Sequence, residues 1–134
     1  MTQAVENEAR WRQRRDDWIE RVHSLIHQLA EWATAEGWEV EHQTRSIREK
    51  VFGEYEAPSL TIRLPEGELE VKPIALQMLA GPTGRVDLQG IPTMSRVSLL
   101  GASGEWVIMT DSNVPIREPW NRETFAQLAH DLLA

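Results

Sequence analysis

The chain contains no cysteine. That removes disulfides, thiolate metal ligands and thiol nucleophiles together, and it suits a reducing compartment, so a cytoplasmic location is expected. Long apolar runs are missing too. Nothing approaches the roughly 20 apolar residues of a membrane span, and Met1 to Arg15 is polar and charged, with no apolar core for a signal peptide. No membrane association is expected, and no Asn-x-Ser/Thr sequon is present. Positive charge is in short supply: 14 Lys and Arg face 21 Asp and Glu, a formal net charge of −7. That balance opposes binding to phosphate backbones unless the basic residues are segregated, so nucleic acid is not an expected partner. Glycine and proline are absent from Val5 to Glu36, which leaves that stretch free to run as one helix.

What is present fits one fold. A chain of 134 residues can bury roughly two thirds of its unfolded surface without staples. In the first segment Trp11, Trp18, Val22, Leu25, Leu29 and Trp32 form a helical stripe, widened by Ile19, Ile26 and Ala33, and Gly37 is the natural stop. The apolar period then changes from helical to two. Trp38 to Arg45 alternates, a second strand is expected through Val51, Gly53 and Tyr55, and a third through Leu60, Ile62 and Leu64. Pro65-Glu66-Gly67 turns the third strand back through Leu69 and Val71. Pro73 to Gly84 reads as an irregular connection because its apolar residues are broken by proline and glycine. Strands resume at Arg85 to Gln89, Arg96 to Leu100 and Glu105 to Thr110, with a turn at Gly101-Ala102-Ser103-Gly104. Asp111 to Pro119 is a loop, and Asn121 caps a final helix whose Phe125, Leu128, Ala129, Leu132 and Leu133 share one face. The expected fold class is α+β over residues 1–134 as a single domain: an N-terminal helix (1–37), an antiparallel meander of about 6–7 short strands forming one curved sheet (38–110), and a loop with a short C-terminal helix (111–134).

Four groups of residues carry possible chemistry. Asp16, Glu20, His23, His27 and Glu31 line one stripe of the first helix, and Glu20-x-x-His23 with His27 one turn on has the spacing of carboxylate-bridged metal sites. Such sites need several helices, so a solvated face is the expected outcome and no metal or other cofactor is assigned. Glu70-Val71-Lys72 has the E-x-K form of metal-dependent nucleases, with Glu54, Glu56 or Asp87 as the further acid. Its ordinary alternative is cross-strand charge pairing. Arg10 to Arg15 surrounds Trp11 with basic residues, but Glu6–Arg10, Glu8–Arg12, Arg12–Asp16 and Asp17–Arg21 are spaced to neutralise it along the helix. Arg85 and Asp87 share one side of a strand, as a structural ion pair would; His42 and His130 have no spacing partner.

Lys72-Pro73-Ile74-Ala75, then Gly84-Arg85-Val86-Asp87-Leu88, Pro92 and the strand holding Trp106 resemble a group of small uncharacterised bacterial proteins with the same rhythm. The resemblance spans Leu60 to Ile108 and covers neither helix. It implies bacterial origin and one curved sheet, and it implies no activity. Lys72 stands where that rhythm has an acid before the proline.

The functional expectation is a non-enzymatic, acidic protein-interaction module, of the immunity or antitoxin kind or a subunit of a larger assembly. Six tryptophans in a small chain without a catalytic set motivate it. The expected contact is the start of the first helix, through Trp11, Trp18, Arg14 and Arg15, with a protein partner or a second copy. Metal-dependent cleavage through Glu70 and Lys72 is the alternative.

Overall fold

A computed structural model describes residues 2–78, 81–102 and 104–134, and the side chains of these except 2–6, 82 and 102. The first helix, α1 (Thr2–Ala35), buries Trp18, Val22, Leu25, Ile26, Leu29 and Ala33. It ends as the sequence predicts: Gly37 takes a φ of +85°, and the N–H groups of Gly37 and Trp38 reach back to the carbonyls of Thr34 and Ala33, both at 3.0 Å.

Seven strands follow: β1 (Glu39–Glu49), β2 (Gly53–Leu64), β3 (Gly67–Met78), β4 (Gly81–Ile91), β5 (Arg96–Ala102), β6 (Glu105–Thr110) and β7 (Pro115–Ile116). They form one unclosed sheet in chain order, every neighbouring pair antiparallel. The second helix, α2 (Arg122–Leu132), starts at Asn121, whose side chain accepts the Thr124 N–H at 2.9 Å, and buries Phe125, Leu128, Ala129 and Leu132. No helix among the described residues is long and apolar enough to cross a membrane.

Three expectations are corrected. The second and third strands are one, β2, which runs unbroken through Pro58. Pro73 to Gly84 is no irregular connection: β3 continues to Met78 and β4 begins at Gly81, with register shifts between Pro73 and Gln77. Residues 79–80 lie outside the described ones. The loop after β6 contains the two-residue strand β7. Across the expected turn at Gly101 to Gly104, Ala102 pairs with Glu105, and Ser103 lies outside the described residues.

Both prolines are tolerated for the same reason. β2 and β3 pair only from Leu60–Val71 to Leu64–Gly67, while β1–β2 and β3–β4 pair well beyond that. The sheet therefore forks, so Pro58 and Pro73 lie where their strands have no ladder partner on the fork side. Trp18 fills the fork. It packs over Gly84, whose φ is +86° and where a β-carbon would collide with the indole ring, and it lies 6.1 Å from the Trp106 ring. On the other branch Arg15 donates to the Phe52 carbonyl at 3.3 Å. A second aromatic cluster seats α2: Phe125 lies 5.9 Å from Trp32 and 6.2 Å from both Trp38 and Trp120.

Candidate functional site

The fork leaves the N–H groups of Leu76 and Gln77 on β3 without a strand partner, and the carboxylate of Glu49 supplies one. It accepts from Leu76 at 3.0 Å, from Gln77 at 2.8 Å, and from the Tyr55 hydroxyl. Burial raises the Tyr55 phenol well above its ordinary value, and the bond to Glu49 raises it further. By bonding two backbone donors of β3 from the end of β1, one part-buried and one exposed, Glu49 acts as a structural clasp across the fork. Nothing in its spacing marks it in the sequence.

The polar side of the sheet gathers some of the expected catalytic residues and separates others. Glu70, Lys72 and Asp87 share it, with Lys72 directly opposite Asp87. Each is already engaged. Lys72 donates to Gln89 at 2.8 Å and lies 3.4 Å from Glu70. Asp87, 3% exposed, accepts from Arg85 Nε at 2.7 Å, Arg85 Nη2 at 3.0 Å and Ser98 Oγ at 2.8 Å, with Arg96 at 3.7 Å. These contacts satisfy both oxygens of a carboxylate that solvent hardly reaches. Glu54 belongs elsewhere: it pairs with Arg48 at 3.1 Å, and Thr61, which faces Glu70, is seven residues further along β2, roughly 23 Å at strand rise. Glu56 is exposed on the same outer arm. Glu20, His23 and His27 line an exposed side of α1, where His27 Nε2 lies 3.1 Å from Glu31. Among the described residues no three His, Asp or Glu side chains converge as metal ligands. His130 does find a partner, Glu66 at 2.6 Å, and that bond holds the Glu66 carboxyl below its ordinary range.

The start of α1 divides the residues expected to bind a partner. Trp18 is 1% exposed and belongs to the core, so it offers no surface. Trp11 is 42% exposed and shares a shallow hollow of about 290 Å³ with Val51, 40% exposed, at the β1–β2 turn. Glu8, Arg12, Arg15, Phe52 and Gly53 complete that hollow. Arg14 points to its other side and lines a separate hollow with Asp17, Trp18, Arg21 and Leu76. The helix charges neutralise less than their spacing predicts. Glu8–Arg12 closes at 3.9 Å, but Asp17 takes Gln13 instead, Asp16 takes Arg15, and Arg21 lies over the Trp106 ring at 5.0 Å. The Glu6–Arg10 pair lies outside the described side chains.

A larger cleft, about 800 Å³, opens between α1, β6 and the segment before α2, walled by Trp106, Ile116 and Trp120. Trp120 is fixed there by its indole N–H donating to Gln28 at 3.1 Å. Trp106 and Trp120 are two of the three tryptophans outside the helix stripe, and nothing in their spacing marks the cleft. Comparison with protein-family models, with curated proteins and with solved structures finds no match for the chain.

Proposed function

We infer that the protein is a non-enzymatic interaction module that docks a partner on the start of α1 and the β1–β2 turn. The observation that carries this reading is the coincidence of Trp11 and Val51, two of the four exposed large hydrophobics among the described residues, in one hollow edged by Arg12 and Arg15. Contiguous exposed apolar side chains mark contact sites, and tryptophan and arginine are the side chains most often found at their energetic centres. With two arginines against the single Glu8, the edge favours a partner segment that is apolar with acidic flanks. That supports the complex-subunit form of the reading; an immunity or antitoxin role against a basic partner would have to use a different, acidic face.

Metal-dependent cleavage through Glu70 and Lys72 is the weaker reading, because Lys72 and Asp87 spend their hydrogen bonds on neighbours in the sheet. The test is affinity capture from the source organism with the wild-type chain and with Trp11→Ala/Val51→Asp as baits. A protein held by the first and lost by the second, with both baits equally folded, supports the assignment. Equal retention by both overturns it.

A further inference from the structure

The two edges of the sheet are treated differently. One ends in β7, only two residues long, a length too short to template another strand. The other ends in β1, 11 residues bonded to β2 without a register break. Glu41 to Ser46 is exposed on both sides of the strand, and no proline or bulge interrupts β1. Natural edges of this length are usually covered, bent or broken.

The charges along β1 suit one occupant. In an antiparallel pair, facing residues point to the same side of the sheet, so a two-fold axis normal to the sheet must pass through a residue of β1. With the axis at Gln43, Glu41 faces Arg45 of the second copy and Arg45 faces its Glu41, and Glu39 to Ile47 is paired with no like charges opposed. With the axis at Thr44, Glu39 meets Glu49; at Arg45, that arginine meets itself. At His42 the paired stretch shrinks to Glu39 to Arg45. Within one copy Glu41 already holds Arg63 at 2.7 Å, whereas Arg45 has no ionic partner among the described residues.

We propose that β1 pairs antiparallel with β1 of a second copy, centred on Gln43, joining two sheets into one. The interface is separate from the Trp11 hollow, and each can fail without the other.

Sedimentation equilibrium of the full chain tests it on four proteins: wild type, Arg45→Glu, Glu41→Arg and the double exchange Glu41→Arg/Arg45→Glu. Wild type should dimerise, more weakly as salt rises. Each single exchange opposes like charges twice and should weaken the dimer about tenfold or more, and the double exchange should restore it. Trp11→Ala should leave the dimer unchanged. Circular dichroism confirms that each variant is folded, and Arg45→Glu keeps the test decisive if losing the Arg63 partner unfolds Glu41→Arg. A wild type that stays monomeric at high concentration overturns the proposal. So do single variants that dimerise as tightly as wild type, or a folded double exchange that stays monomeric.

Discussion

The carboxylate of Glu49, at the end of β1, accepts the backbone N–H of Gln77 on β3 at 2.8 Å, although the two strands are not neighbours in the sheet. That bond exists because β2 leaves β3 beyond Leu60, and it ties the two arms of the fork together.

Glu49→Ala should therefore cost more than a surface substitution. It removes the acceptor for two backbone donors and for Tyr55, and bonds to a charged acceptor are worth about 1.5–3 kcal/mol each before relaxation and solvent entry. A loss of roughly 2–4 kcal/mol is expected in urea unfolding. Amide exchange at Leu76 and Gln77 should accelerate more than at Val71, which keeps its strand partners.

Tyr55 is the only tyrosine, so phenolate absorbance reports one group. Its folded value is raised, so its contribution to stability is complete below the unfolded tyrosine value of about 10 and declines as pH rises above it. Absorbance should stay flat through that range and rise only as the fold opens. Tyr55→Phe should flatten the alkaline fall in stability. A phenol that titrates near 10 in the folded protein would show that the clasp does not shield it.

The two tryptophans at the start of α1 should respond oppositely. Trp18→Ala empties the fork over Gly84 and should cost about 3–5 kcal/mol. Trp11→Ala should stay within about 0.5 kcal/mol in the same unfolding measurement. If Trp11 were equally costly, its exposure would have a structural cause.

Helix periodicity located α1, α2 and their buried faces because both helices press one stripe on the sheet, and the Gly37 and Asn121 signals are local. Strand periodicity locates the second half of β2, where Leu60, Ile62 and Leu64 alternate with Ser59, Thr61 and Arg63, but it does not show that Ser59 and Thr61 are buried as well. Pro58 and Pro73 read as breaks because the fork that excuses them depends on contacts distant in sequence. For the same reason Trp18 passed for surface: its stripe is indistinguishable from that of Trp11 until the fork is known. Alternation puts Glu70 and Lys72 on one side of their strand and Arg85 and Asp87 on one side of theirs, but that these sides coincide, and that Gln89, Arg85 and Ser98 engage them, depends on the order of the strands.

That engagement separates Asp87 from its neighbours. Asp87→Ala leaves Arg85 and Arg96 without their shared partner in a nearly closed site, and should cost roughly 2–4 kcal/mol by thermal or urea unfolding. Glu70→Gln, in a half-exposed pair, should cost about 1 kcal/mol or less. Neither substitution should alter Mg²⁺-dependent cleavage of DNA or RNA. A cleavage activity lost in Glu70→Gln at unchanged stability would reinstate the hydrolase reading.

The assignment of the docking face is tested most directly by photo-crosslinking in the source cells, with a photoreactive amino acid placed in turn at Trp11, at exposed His23 on another side of α1, and at Trp120 in the larger cleft. The expected result is one discrete protein adduct from position 11 and none from position 23. An adduct from position 120 or 23 with none from position 11 would contradict the assignment.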